Sequence, residues 1–185
     1  MNFTYYKKYI VFLLIFFFSI NISAGELRKK AEEIIKENFS DDIIIKMYKL
    51  HLDKILKVDS EKFAKQRFYS KFVYYFEIKQ NDENITYAIL DNVKGKVKPI
   101  TFLVLFKNDL TVSSVEIVKY REEHGGEVEN KSWLSQFSNK SFQSPLKLDE
   151  DIDGISGATI SVKAITKGVK RLLHFINNLK ENERD

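Results

Sequence analysis

Four segments rich in aromatic and β-branched residues follow one another between residues 71 and 120, and they constrain the fold most strongly. Polar clusters that form turns separate these segments, a pattern typical of an antiparallel sheet whose strands follow chain order. The third segment is apolar at nearly every position, as in a strand that is buried on both faces. The sequence therefore predicts an antiparallel meander of about four strands, at 71–79, 85–93, 100–107 and 111–120.

Helices are predicted around this sheet, which gives an α+β fold. Apolar residues recur at three- and four-residue steps over 26–39 and again over 165–176, so each segment is predicted to form an amphipathic helix. The Asp-Ser pair at 59–60 predicts the cap of a short helix that continues through residue 68. Residues 43–52 fit a short strand or a helix.

The last helix is preceded by the stretch 151–161, which reads Asp-Ile-Asp-Gly-Ile-Ser-Gly-Ala-Thr-Ile-Ser. Gly157 relieves the backbone restriction just before the helix, which is predicted to begin close to Thr159. The hydroxyls of Ser156, Thr159 and Ser161 would then lie near amide groups that lack helical partners, where a phosphate binds favourably. An ordinary set of polar cap residues explains the same pattern.

Composition and charge exclude several classes of function. The chain has 185 residues, enough for one domain with a sizeable core. It contains no cysteine, which excludes disulfides, thiolate metal sites and thiol chemistry. Because basic and acidic residues are mixed along the chain, no face gathers positive charge, and we expect no nucleic acid partner.

The first 24 residues have the pattern of an export signal. Lys7 and Lys8 precede an apolar run, and the segment ends in the small-residue sequence Ile-Ser-Ala. We therefore expect cleavage after Ala24 and a location in the periplasm or at the outer face of the cytoplasmic membrane. An uncleaved membrane anchor is the alternative, although the apolar run is shorter than the ~20 residues that span a bilayer.

A charged loop after the sheet is a second candidate for ligand contact. It contains Glu122, His124 and the pair Gly125 and Gly126, and adjacent glycines let a backbone approach a ligand closely. A solvated turn explains the loop equally simply. A short helix with an aromatic core face is predicted at 132–137. The histidines are scattered, so the sequence predicts no metal site, and no nucleophile has an identifiable base.

Four carboxylates precede the last helix, and they bear on how a phosphate could be held there. They are Asp149, Glu150, Asp151 and Asp153. Like charges repel, so such a run disfavours a free phosphate unless a cation or a covalent bond holds it. The acidity therefore favours a covalently attached phosphate over one that is captured reversibly.

The heptapeptide 153–159, Asp-Gly-Ile-Ser-Gly-Ala-Thr, resembles the flavinylation motif of the FMN-binding domain family. That family includes the C subunit of the sodium-pumping NADH:quinone oxidoreductase, the G subunit of the Rnf complex and stand-alone exported proteins. Gly95 with 99–102, and the loop 120–127, resemble further parts of the family pattern in the right order. The respiratory subunits carry Glu-Thr-Pro-Gly where this chain has Glu-Glu-His-Gly at 122–125.

The resemblance implies that FMN is esterified to Thr159. A dedicated flavin transferase, which depends on Mg²⁺ and takes FMN from FAD, would make this bond. Asp153 would serve the transferase more than the finished flavin site. The residues implied in cofactor binding are Thr159, Asp153, Ser156, Gly157, Ala158, Glu122, Gly125 and Gly126.

We therefore expect an exported flavoprotein that passes electrons between a membrane donor and an extracytoplasmic acceptor, and that has no catalytic residues of its own. One alternative is an FMN-dependent reductase subunit in which His124 or Glu122 assists proton transfer. The other is a non-redox binding domain of the same fold. The expected divisions are a signal peptide at 1–24, an N-terminal helical region at 25–70, an FMN-binding domain at 71–180 and a polar tail at 181–185.

Overall fold

The computed structural model describes residues 24–39, 42–80 and 85–183. Within these ranges the chain forms five strands and four α-helices. In chain order they are α1 (Ala24–Glu37), β1 (Ile44–His51), α2 (Lys54–Ala64), β2 (Phe72–Lys79), β3 (Ile85–Lys94), β4 (Pro99–Phe106), β5 (Val112–Lys119), α3 (Lys131–Leu134) and α4 (Thr159–Asn182). The predicted export signal lies outside the described residues, except for Ala24, where α1 begins.

The five strands form one antiparallel sheet in the order β1-β2-β3-β4-β5. This order confirms the predicted meander and the α+β class, and β2 to β5 occupy the four predicted segments. The additional strand is β1, which comes from the stretch that fitted either a strand or a helix. Since β1 pairs with β2 from Ile44↔Lys79 to His51↔Phe72, the N-terminal region contributes an edge strand to the sheet.

Both faces of the sheet are covered, which explains why β4 is apolar at every position except Thr101. Phe102 on β4 belongs to a core cluster with Ile165 and Leu172 of α4, whereas the next residue, Leu103, packs in a second cluster with Ile35 of α1. Successive side chains of a strand point to opposite faces, so each face of β4 needs its own apolar set. Every residue of β4 after Pro99 is buried, as predicted.

Helix α2 begins earlier than its predicted cap, and that prediction is wrong. The Asp53 carboxylate accepts hydrogen bonds from the amides of Ile55, at 2.8 Å, and Leu56, at 3.1 Å, so Asp53 is the N-cap. Ser60 lies inside the helix, where its hydroxyl donates to the Leu56 carbonyl at 2.8 Å and contacts Nδ1 of His174 at 3.0 Å. The helix ends at Ala64 and does not reach residue 68.

Two features fix α4 against the sheet. At Gly168 the helix lies so close to the strands that an added Cβ would come within 2.7 Å of Val93 and 2.9 Å of Phe102. One turn later, the fully buried guanidinium of Arg171 forms a 2.6 Å ion pair with Asp91 of β3. The N-terminus of α4 is therefore positioned by contacts that lie more than two helical turns away from it.

We expect Arg171→Met to lower the free energy of unfolding by about 3–5 kcal/mol, because it leaves the Asp91 carboxylate buried without its cation. Urea denaturation followed by circular dichroism measures the change. Lys167→Met is the matched control, since Lys167 is exposed on the same helix. A loss of less than about 1 kcal/mol for Arg171→Met would contradict a structural role for the pair.

Candidate functional site

The turn before α4 leaves the start of the helix open to an anion. Gly157 has φ +81°, a conformation that glycine adopts at low cost, and Thr159 is the first helical residue, as predicted. No side chain caps the helix within the described part of the chain. The first amides of a helix have no carbonyl partner within it, and the helix dipole favours negative charge there. The geometry suits a phosphate group.

The short helical segment before this turn holds it by its backbone. The indole Nε1 of Trp133 donates to the carbonyl of Asp153 at 2.8 Å, and the Gln136 side chain accepts from the Asp153 amide at 2.8 Å. Trp133 is buried and packs edge-on against Phe137, which confirms the predicted aromatic core face. Both backbone groups of Asp153 are thus fixed, while its carboxylate is exposed.

The polar side chains of the turn are free, in contrast to its backbone. Asp153, Ser156 and Thr159 are exposed, and their side chains make no hydrogen bond to any residue that the structure describes. Ser161, two residues further on, is buried and shares a 2.9 Å hydrogen bond with the Tyr120 hydroxyl. The Thr159 hydroxyl is therefore available for chemistry in a way that the Ser161 hydroxyl is not.

Three segments meet at the start of α4 and enclose a cleft of about 860 Å³. They are the tip of the β3–β4 hairpin at 96–98, the loop 122–127 after β5, and the residues 157–161. The sheet register brings them together, since Lys94 pairs with Pro99 and Thr101 pairs with Lys119. The volume falls within the roughly 300–1,000 Å³ of small-molecule sites.

The loop after β5 is tied to the start of α4 by one phenol. The Tyr120 hydroxyl donates to the His124 carbonyl at 2.5 Å and also contacts Ser161. Burial raises the pKa of Tyr120, with the Ser161 hydrogen bond opposing it, so the phenol stays protonated at neutral pH. Gly125 passes directly beside this hydroxyl with φ +84°, and an added Cβ would lie 2.8 Å from the phenol oxygen.

Glu122 lines the cleft, but its carboxylate is directed to the backbone of the hairpin. Its Oε1 accepts from the amides of Val97, at 2.7 Å, and Lys98, at 3.1 Å. The Val97 hydrogen bond is the main cause that lowers the pKa of Glu122, partly opposed by desolvation. A carboxyl group with a lowered pKa is a poor proton donor, so among the two proton-transfer candidates the structure favours His124.

Two of the four carboxylates in the acidic run before the turn have a lysine partner, which weakens one argument drawn from the sequence. Asp151 pairs with Lys140 at 3.1 Å, and Glu150 pairs with Lys147 at 3.0 Å. The Asp151 carboxylate also accepts from the amide of Lys147 at 2.7 Å. These contacts outweigh the effect of burial and lower the pKa of Asp151. Repulsion of a phosphate by this run is therefore smaller than the bare sequence indicates.

Six of the predicted site residues line the one cleft: Glu122, Gly125, Gly126, Gly157, Ala158 and Thr159. Asp153 and Ser156 belong to the turn that leads to it and do not line it. The hairpin tip and Ile160 were not predicted from the sequence. Two of the missed residues are apolar yet exposed, Val97 at 73% and Ile160 at 49%. In the sequence, a valine between two lysines does not indicate a binding site, and only the fold shows that Val97 lines the cleft.

Within the described ranges, no group of His, Asp and Glu side chains is arranged to hold a metal ion. Among the same residues, no helix is long and apolar enough to cross a membrane. His174 of α4 is half-buried and packs against Phe63 and Phe142.

Comparison with known families identifies this region. Residues 95–174 match the sequence model of the FMN-binding domain family. This part of the chain is an FMN-binding domain. The match contains all three walls of the cleft, from Gly95 at the hairpin tip through the first turn of α4. No curated protein matches the chain in sequence.

The residues around the cleft fit FMN on their own chemistry. The uncapped start of α4 suits the phosphate, and Gly125 and Gly157 keep backbone close to the cleft without side chains in the way. The exposed aliphatic groups of Val97 and Ile160 offer apolar surface to a flat ring system. The start of α4, the backbone at Gly125 and Gly157, and the side chains of Val97 and Ile160 would therefore hold the cofactor.

We expect Gly125→Ala to lower the free energy of unfolding by about 1–2 kcal/mol, because alanine is strained at φ +84° and its Cβ meets the Tyr120 hydroxyl. FMN affinity should fall about tenfold as the loop shifts. Urea denaturation measures the first effect. An FMN titration followed by the fluorescence of Trp133, the single tryptophan, measures the second.

Gly126→Ala is the matched control for this prediction. Gly126 has no positive φ, and the nearest atom to an added Cβ is a Glu129 carboxylate oxygen at 3.7 Å. Its substitution should change both quantities little. Equal losses for the two variants would show that the loop is sensitive to any added methyl group and that the Gly125 geometry has no special role.

Proposed function

We propose that this domain carries FMN as a phosphoester on Thr159 and transfers electrons outside the cytoplasmic membrane. The observation that carries the proposal is the exposed Thr159 hydroxyl, which has no hydrogen bond to a described residue and lies at the uncapped start of α4, on the edge of the cleft. A phosphate attached there sits beside free amides, and the attached flavin reaches the cleft.

The attachment needs a nucleophile that a modifying enzyme can reach, and the turn supplies one. The Thr159 oxygen would form a bond to the flavin-side phosphorus of FAD while the diphosphate bridge breaks, so that AMP leaves and the hydroxyl proton is lost. The partner for this step is a flavin transferase that uses Mg²⁺. Because the Asp153 carboxylate is exposed and unpaired within the described residues, it is placed to be recognised by that enzyme.

The other hydroxyls near Thr159 are less suitable sites for attachment of FMN. Ser161 is buried and engaged by Tyr120, so its modification would break a contact that holds the cleft loop. Ser156 is exposed but lies outside the cleft lining and before Gly157. A flavin attached at Ser156 would start further from the amides at the beginning of α4. Thr159 combines exposure with the helix start.

FMN supplies the redox chemistry when bound, accepting and releasing electrons in steps that the protein positions and tunes. The chain contributes the helix start, the two glycines and the apolar rim. We propose a membrane donor and an extracytoplasmic acceptor as its partners. A phosphoester prevents loss of the cofactor in a compartment where free FMN is diluted away.

A second function, an FMN-dependent reductase subunit, is favoured by one observation. His124 lines the cleft, is exposed, and could deliver a proton to a small substrate beside the flavin. The two functions separate on turnover, since a reductase must convert a soluble acceptor many times per flavin and must depend on His124. A carrier exchanges electrons with its partners and tolerates His124→Gln.

We expect Thr159→Ala to abolish covalent flavin when the protein is produced together with the transferase. In-gel flavin fluorescence after denaturation detects the bond, and peptide mass spectrometry should find FMN less one water on Thr159. Thr159→Ser should retain the label because it keeps the hydroxyl.

Ser156→Ala is the matched control, because Ser156 is the other exposed hydroxyl of the turn. It should stay fluorescent, although a slower reaction would be consistent with recognition of the turn. A fluorescent Thr159→Ala protein, or a wild-type protein that stays dark with active transferase present, would refute attachment at Thr159.

Export is proposed from the first 24 residues, and it predicts a specific N-terminus. Expressed in a bacterium with its own signal segment, the protein should accumulate outside the cytoplasm and begin at Gly25, which N-terminal sequencing of the purified chain would reveal. Replacing both Lys7 and Lys8 with Glu should cause precursor to accumulate. Mature protein that retains residue 1 would instead support the uncleaved anchor.

A further inference from the structure

The Glu122 carboxylate and Gly95 form a built seat at the tip of the β3–β4 hairpin. Oε1 of Glu122 accepts from the amides of Val97 and Lys98, and the amide of Lys96 contributes to the same lowering of the Glu122 pKa. Hydrogen bonds to a charged acceptor are stronger than neutral ones. One side chain from the loop after β5 thus holds the tip of a different hairpin, 25 residues away from Val97 in sequence.

Gly95 is required for this seat on steric grounds. A Cβ at Gly95 would collide with Oε1 of Glu122 and would lie 2.8 Å from the carbonyl of Lys98. That carbonyl already accepts from the Gly95 amide at 3.0 Å, which closes the hairpin turn. A side chain at this position must therefore displace the carboxylate or open the turn. Gly95 and Glu122 therefore act together to hold the hairpin tip.

The hydrogen bond to Glu122 fixes the backbone of Val97, whose side chain is the most exposed apolar side chain of the cleft. Val97 lines the cleft and is 73% exposed, although its amide is held at 2.7 Å by Glu122. Ile160, on the wall formed by α4, is 49% exposed. Two aliphatic side chains on separate walls leave apolar surface that a flat aromatic ring can cover.

We propose that Glu122 is a positioning residue for FMN, which acts through the hairpin and not by touching the flavin. Its carboxylate holds the 96–98 tip so that Val97 forms a fixed apolar wall against the isoalloxazine ring. The proposal rests on FMN binding in this cleft and is independent of whether the cofactor is attached to Thr159. It assigns to Glu122 a role different from direct contact or proton transfer.

The experiment uses the purified mature domain without flavin and titrates it with FMN. Glu122→Ala should speed hydrogen exchange at the amides of Val97 and Lys98 in the flavin-free protein and should raise the FMN dissociation constant about tenfold, because the hairpin tip loses the two charge-assisted hydrogen bonds that fix it. In FMN-loaded protein, iodide should quench the flavin fluorescence more strongly. Glu122→Gln keeps an acceptor oxygen, so it should stay close to the wild-type protein in hydrogen exchange, FMN affinity and fluorescence quenching.

Glu129→Ala is the matched control, because Glu129 is exposed, lies in the same segment after β5 but outside the cleft lining, and makes no side-chain hydrogen bond to a described residue. It should leave hairpin exchange and flavin quenching unchanged. If it weakens FMN binding as much as Glu122→Ala does, the effect comes from the charge of the loop, and the positioning role is refuted.

A double-mutant cycle tests the pairing of Glu122 with Gly95. Gly95→Ala should reproduce the effects of Glu122→Ala on exchange and quenching, and the double variant should be little worse than either single one, because both remove the same seat. Additive effects would show that the two residues act independently and would refute their joint role in holding the hairpin tip. Exchange at the buried amides of β4, measured in the same samples, reports overall stability, so faster exchange confined to Val97 and Lys98 shows a local change in the hairpin.

The outcomes for flavin binding and for positioning are distinguishable. If wild-type protein binds no FMN, the cofactor proposal fails and the positioning role fails with it, whereas the exchange data still report the state of the hairpin. If FMN binds normally to Glu122→Ala while the hairpin amides exchange faster, the cofactor function stands. Glu122 would then stabilise the hairpin only, and the proposed positioning role would be wrong.

Discussion

The ion pair between Asp91 and Arg171 fixes the relation between the sheet and its longest helix, on which the site depends. Both side chains are almost fully buried, and their charged atoms are 2.6 Å apart. The same guanidinium donates to the Gln66 side chain at 2.8 Å and lies 4.3 Å from the centre of the Phe68 ring. It therefore joins β3, α4 and the segment after α2. A buried charge without these partners would cost several kcal/mol, so the arrangement tolerates little displacement.

A helix fixed in this way carries its own N-terminus to a defined place. The backbone hydrogen bonds of α4 make it stiff over its 24 residues, and the close approach at Gly168 leaves no room for it to slide over Val93. Trp133 and Gln136 then fix the backbone of Asp153 from another side. The turn between these two supports has a determined path, while its polar side chains remain exposed. Rigid backbone with free side chains is what the proposed recognition and modification of this segment would require.

Local sequence patterns were sufficient to predict most of the fold, but not the edge strand β1 or the start of α2. The four segments of 71–120 were recognisable because buried strands concentrate apolar and β-branched residues. Strand β1 lacked this signal, since most of its residues are exposed at the edge of the sheet. The cap of α2 was misplaced because Asp53 and the Asp59-Ser60 pair are both residue types that favour an N-cap. In the structure the Asp53 carboxylate accepts from two amides of the first turn, and Ser60 lies inside the helix against His174.

Like the fold, the site has one part that follows from local sequence and another part that depends on tertiary contacts. The motif at 153–159 is contiguous, so its turn and the start of α4 at Thr159 could be predicted from sequence. The seat of Glu122 could not, because it requires the sheet register that brings the ends of β4 and β5 together, with Thr101 opposite Lys119. An isolated glycine at 95 reads as an ordinary hairpin turn. The positions of the Glu122 carboxylate and the Lys98 carbonyl show why a side chain is excluded there.

The structure also changes the reason for preferring a covalent phosphate. Acidity before the turn was the first argument, but Lys140 and Lys147 pair with two of its carboxylates, so charge repulsion discriminates weakly between bound and attached phosphate. Accessibility discriminates better. A site that captures free phosphate would be expected to turn its hydroxyls inward toward the anion and to cap its helix with them, whereas here the Thr159 hydroxyl is exposed and caps nothing among the described residues. A hydroxyl in this position is accessible to a modifying enzyme, as the proposed phosphoester requires, and the free amides at the start of α4 would stabilise that phosphoester.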